Sequence, residues 1–166
     1  GGQQIAHTGQ LARDPDEIAR VEAGVGAVEG GVLPVLALNL PCAAIIAIDV
    51  GATYGGMVGD SAWSYAVGNI SEGKKLLMKA TEEALMAGIS KMRAGNVLDD
   101  ISGAVEDVAN SYKMGIVRQY GGHGVGHVMH EDPFLFNYRV GDQTLIKSGM
   151  VIAIEPMLNL GCDEVV

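Results

Sequence analysis

An α+β domain is what this sequence predicts, on three observations. Two apolar runs flank a Gly-Gly turn, two stretches of helical period follow, and short strand-like runs come after them. Residues 1–14 are polar and read as loose chain. Asp14-Pro15-Asp16 is a helix start signal, with Ile18, Val21, Val25 and Val28 at helical spacing behind it. Gly24 and Gly26 oppose that helix, each costing roughly 1 kcal/mol against alanine. The run Gly24 to Gly30 has a faint dinucleotide-loop spacing, but no strand precedes it, so that reading is rejected. Residues 43–50 and 57–67 read as strands around Thr53-Tyr54-Gly55-Gly56, a hairpin turn signal. Ser71 caps a helix to about residue 94, with Leu77, Ala80, Ala84, Leu85, Ile89 and Met92 mostly on one face. Gly95 stops it. A second helix, roughly 98–113, carries Leu98, Ile101, Val105, Val108 and Tyr112 and ends at Gly115. Residues 116–121 read as a strand, Lys147-Ser148-Gly149 as a turn, and Met150 to Ile154 as a strand running into Glu155-Pro156.

The bulk properties narrow the function. A length of 166 residues fits one domain with a real core, and 48% hydrophobic against 19% charged residues is a globular balance. Eleven Lys+Arg against 20 Asp+Glu give a net charge of −9, which argues against nucleic acid as the main partner. The surplus carboxylates suit hard divalent cations. Cys42 and Cys162 form no zinc spacing or disulfide framework, and are expected as reduced thiols in a cytosolic protein. No apolar run is long enough for a membrane span, and no signal peptide is visible. Both ends read as cut: there is no initiator Met, and Asp163-Glu164-Val165-Val166 resembles the start of a strand.

Chemistry concentrates in Gly121-Gly122-His123-Gly124-Val125-Gly126-His127-Val128-Met129-His130-Glu131-Asp132-Pro133. Imidazole is the commonest metal ligand, and the glycines let backbone approach closely. As single residues these histidines would more often be structural; as a cluster they suggest a metal or acid–base site. Asp49 and Asp60 lie 11 positions apart around the predicted turn. In a symmetric hairpin they face each other directly, and two such carboxylates repel unless cations separate them. The alternative is that Gly59-Asp60-Ser61 starts a loop and Asp49 is a strand end. Glu155 closes the apolar run Val151 to Ile154 and should be partly buried, which calls for a cation or strong donor; a solvent-facing strand end is the alternative. His7 reads as surface, Trp63 and Tyr65 as core or pocket wall, and Met78, Met86 and Met92 as helix packing.

Taken together these blocks resemble a known family. Ile48-Asp49-Val50, Gly59-Asp60-Ser61, Gly122-His123-Gly124-Val125-Gly126 with His130-Glu131-Asp132-Pro133, and Gly149-Met150-Val151-Ile152-Ala153-Ile154-Glu155-Pro156-Met157 are similar in order and spacing to bacterial type I methionine aminopeptidases. Val67-Gly68 and Asn137-Tyr138 also fall where that family has them. Phe134 stands where the related Xaa-Pro enzymes carry a histidine, so the methionine branch fits better. The resemblance covers about residues 45–166, with 1–44 matching poorly, within a single catalytic domain over 1–166.

The resemblance implies the pita-bread fold and hydrolysis of the bond after an N-terminal methionine at a site of two divalent metal ions (Co, Mn, Fe or Zn). Asp49, Asp60, His123 and Glu155 would be the metal ligands. Glu155 would also be the general base, His130 would stabilise the oxyanion, and Met129 with His130 would contact substrate. His127 would have no required role. The implied partners are peptide and nascent-chain N-termini, with transient ribosome association, no membrane and no nucleic acid, for a cytoplasmic monomer. Two departures qualify this. The family's upstream His-Gly-Ile-Pro-like block falls on Gly31-Val32-Leu33-Pro34, with Gly31 in place of histidine. The family's final bridging glutamate has no match, and neither Asp163 nor Glu164 fills that role. A catalytically inactive pita-bread binding module is the alternative.

Overall fold

Gly55 and Gly56 set the geometry from which the site is built. Their φ angles are 58° and 79°, left-handed at both central positions as a type I′ hairpin turn requires, and cheap only for glycine. The turn joins β2 (Ala44–Tyr54) to β3 (Met57–Val67), antiparallel from Tyr54↔Met57 to Ala44↔Val67. The computed structural model describes residues 18–25, 43–161 and 163. His7, the Asp14-Pro15-Asp16 signal, Val28, Gly31 with its block, both cysteines and Glu164 lie outside them.

The expected N-terminal helix is corrected. Residues 18–25 form β1 (Ile18–Val25), parallel to β2 in the register Ile18↔Ile45 to Val25↔Ala52. The helical period there rests on Ile18, Val21 and Val25, all β-branched and better suited to a strand. Gly24 weakens the helix further, and an adjacent strand with open hydrogen-bonding groups decides the outcome.

Both later helices form as expected, within a few residues. In α1 (Glu72–Lys91) the Ser71 side chain accepts a hydrogen bond from Lys74 N at 3.3 Å. Ser71→Ala is expected to lower stability by about 1 kcal/mol, read as a shifted urea midpoint with unchanged slope. In α2 (Leu98–Ser111) the Asp100 carboxylate accepts from Val97 N at 2.9 Å. Leu77, Ala80 and Ala84 of α1 pack with Val105 and Ala109 of α2, Met114, Ile116 and Leu158. Leu85, Leu98 and Ile101 pack with Leu135, Ile146, Ile152 and Ile154. The second cluster seats the strand that leads into Glu155. Met92 joins it and Met78 is half-buried, but Met86 is 56% exposed because it falls off the buried stripe.

The strands after the helices are shorter than expected. β4 (Met114–Ile116) ends where the 116–121 strand was to begin, and pairs with β8 (Leu158–Leu160). β5 (Gly122–Gly124) lies between β6 (Glu131–Leu135) and β7 (Ile152–Ala153). Trp63 and Tyr65 are 38% and 49% exposed, so neither is core; Trp63 walls a cavity of about 510 Å³ shared with α1.

Candidate metal centre

Three separate elements deliver the donors. Asp60 stands on β3, His123 on β5, and Glu155 two residues past β7. Each offers one ligand atom within 4.8 Å of the others. His123 Nε2 lies 3.3 Å from Asp60 Oδ2 and 3.1 Å from Glu155 Oε1. His123 is 7% exposed. Its Nδ1–H donates to the Gly124 carbonyl at 2.8 Å, which turns Nε2 toward the carboxylates. Hydrogen bonding to Asp60 and then Glu155 pushes the His123 pKa up to about 10, against an opposing effect of burial.

The expected facing of Asp49 and Asp60 is corrected. Asp49 pairs with Ala62, and Asp60 with Gly51. The hairpin is centred between Gly55 and Gly56, one position beyond the midpoint between Tyr54 and Gly55 that direct facing needs. The two carboxylates remain on one face as diagonal neighbours, a relation that sets residues about 7–8 Å apart. Both border one cleft of about 920 Å³ with His123, Met129, His130 and Glu155.

A short loop positions the remaining predicted residues. Val58 N donates to Gly126 O at 2.7 Å, and His127 Nδ1–H donates to Gly56 O at 2.9 Å. Glu131 Oε1 accepts from His127 N at 2.7 Å and from Val128 N at 3.1 Å. So fastened, the loop lays Met129 against Gly51, where an added Cβ would collide with the Met129 methyl. The His130 ring centroid lies 4.3 Å from that of His123, the planes inclined by 58°. His127, for which the sequence suggested no role, is one of the tethers.

Sequence reasoning missed other walls of the cleft: Gln119, Tyr120, Asp132, Phe134 and Met157. Gln119 and Tyr120 carry no periodic signal because they lie in a connection. Glu131 could have been found, since a carboxylate after a glycine-rich turn is a natural acceptor for exposed N–H groups.

Two partly buried carboxylates and a buried imidazole nitrogen converging in a cleft form a donor set that fits divalent cations from hard to borderline. The fold and site thus define an α+β protein with a candidate centre for such ions. Residues 37–164 match the model of metallopeptidase family M24, and the chain belongs to that family. It is 46% identical over 118 residues to methionine aminopeptidase 1 of Bacillus subtilis, covering 70% of this chain and 48% of that one. It is 43% identical over 129 residues to methionine aminopeptidase 1 of Mycobacterium tuberculosis, covering 74% and 48%. The crystal structure of a Thermotoga maritima methionine aminopeptidase is similar with a TM-score of 0.72 at 39% identity, covering 75% of this chain and 51% of that one. A prolidase from Pyrococcus furiosus is similar with a TM-score of 0.66 at 27% identity, covering 74% and 36%. The fold is the pita-bread fold of these proteins over the matched part. The chain spans about half the length of the relatives it matches.

Proposed function

We propose that this chain carries the metal centre of a methionine aminopeptidase, which removes the N-terminal methionine from peptides and nascent proteins. The observation that carries the reading is the convergence of Asp60, His123 and Glu155, with His130 beside them, in a chain 46% identical over 118 residues to such a protein. Asp49, Asp60, His123 and Glu155 would hold two divalent cations (Co, Mn, Fe or Zn), which when bound polarise a carbonyl and make water nucleophilic near neutral pH. Glu155, at the cleft wall, takes the proton of the attacking water. His130 donates a hydrogen bond to the carbonyl oxygen as negative charge develops there. Met129 offers a polarisable apolar wall to the substrate's own thioether.

Residues 45–166 form the family-like core of a single catalytic domain in this reading. The partners are free peptide or nascent-chain N-termini, reached in the cytoplasm by a monomer in transient contact with ribosomes. Among the described residues no helix is long and apolar enough to cross a membrane.

The test is a tripeptide beginning with methionine, incubated with cobalt or manganese and again with chelator. Cleavage is expected with metal and none with chelator, and a leucine-initiated control should be spared. Chelator-resistant cleavage would overturn the mechanism. Full metal loading without cleavage would favour the inactive binding module.

A further inference from the structure

We propose that Asn137 is the positioning residue for Glu155, acting through the Glu155 backbone rather than through its carboxylate. This rests on the reading of Asp60, His123 and Glu155 as a metal centre. The β5–β7 ladder pairs His123 with Ala153 and Gly124 with Ile152, and stops there. Glu155 lies two residues further on, and Pro156 has no N–H with which to continue a ladder. The next backbone anchor is Val117 N donating to Met157 O at 3.0 Å. Between these two anchors, Asn137 Nδ2–H donates to the Glu155 carbonyl at 2.7 Å.

The placing of Asn137 fits that task. β6 and β7 flank β5 on opposite sides, and Asn137 follows the end of β6 by two residues. Its hydrogen bond therefore ties together the chain segments that leave the two strands on either side of the one that carries His123. Asn137 is 1% exposed, and its Oδ1 is buried without a hydrogen-bond partner. A buried orphan acceptor costs free energy that a leucine of similar size would not. An amide held half-satisfied in a core calls for an explanation, and the bond made by its other half supplies one.

Three forms test the proposal: wild type, Asn137→Leu and Asn137→His. The leucine removes both the donor and the orphan acceptor. Histidine Nδ1 lies as many bonds from the backbone as Asn137 Nδ2, so the second variant can restore the donor. Manganese affinity is measured by calorimetry, and stability by urea unfolding in chelator. Asn137→Leu is expected to weaken manganese binding about 10–100-fold, the usual loss when the group that orients a ligand is removed. Its stability in chelator should stay near that of wild type, because the orphan Oδ1 is removed while the Glu155 carbonyl loses its donor, and Asn137→His should recover most of the affinity. Wild-type affinity in Asn137→Leu would overturn the proposal, as would a loss of affinity that merely tracks lost stability. Crystals of cation-free wild type and Asn137→Leu give a readout independent of metal. Glu155 is expected to shift from His123 by about 1 Å, a displacement large enough to impair a site severely. An unmoved Glu155 would overturn the proposal. Wild type that binds no manganese would sink the metal-centre reading instead, while the position of Glu155 would still decide the role of Asn137.

Discussion

His123→Ala is expected to abolish productive metal binding, weakening affinity by more than about 100-fold. Loss of an outer partner alone typically costs 10–100-fold, and this change removes a donor from the proposed centre itself. A second effect is expected in chelator-treated protein. The pairing of the imidazole with Asp60 and Glu155 raises its pKa from 6.5 to about 10. A basic group whose folded pKa is raised binds its proton more tightly in the folded state. Its contribution to stability is therefore fully present below about pH 6.5 and is lost as pH rises through about 10. The substitution should destabilise most near pH 6, where two carboxylates are left facing each other without the charge between them, and much less near pH 10. Urea midpoints of both proteins at pH 6, 8 and 10 measure this. A pH-independent difference would refute the pairing. Manganese held by His123 would have to displace the same proton, so wild-type affinity should climb with pH over that window.

The second large effect is expected at Gly122. A Cβ built there would overlap the Ala153 carbonyl, with the Ile154 Cα 3.4 Å away. Both obstacles are backbone, and neither can swing aside as a side-chain tip would. Gly122→Ala should therefore push β5 from β7 and cost about 3 kcal/mol, the upper part of the range for forced overpacking. Because β7 leads into Glu155, the folded fraction should also bind metal more weakly. Gly141→Ala is the control, since nothing lies within 4 Å of a Cβ there, although its φ of 77° carries a local penalty of its own. Equal losses of metal affinity in the two variants would contradict this account.

Much of the candidate site was legible because the signals that mark its residues are local. Asp60, His123 and Glu155 each sit in a short block whose residue types state the need: a carboxylate near a turn, an imidazole among glycines, a glutamate closing an apolar strand. α1 and α2 were legible because Ser71, Leu77, Ala84, Leu98 and Val105 combine a cap with a sustained helical period. The misreadings share another cause. Ile18 to Val25 became a strand because β2 lay alongside, a partner that no local pattern reveals. Asp49 and Asp60 missed direct opposition because the midpoint of two residues need not be the centre of a turn, and only Gly55 and Gly56 as a pair mark that centre. Gln119, Tyr120 and Met157 reach the cleft through folding alone.

The donors also divide in a way that bears on how the chain comes apart. Asp60 belongs to the β1–β2–β3 sheet, whereas His123 and Glu155 belong to, or adjoin, the β6–β5–β7 sheet. Whatever grips all three spans a seam. Hydrogen bonds stitch that seam at two points, His127 to Gly56 at its exposed rim and Val58 N to Gly126 O beside it. Without a bound cation, the β2–β3 hairpin is expected to exchange its amides with solvent ahead of the helical core, as hydrogen exchange in chelator would read. With a cation bound to all three, opening either sheet would first have to break that grip, and the two would become one unit. A cation held by all three donors would thus couple two halves of a fold, and its occupancy would set how many pieces the protein unfolds in.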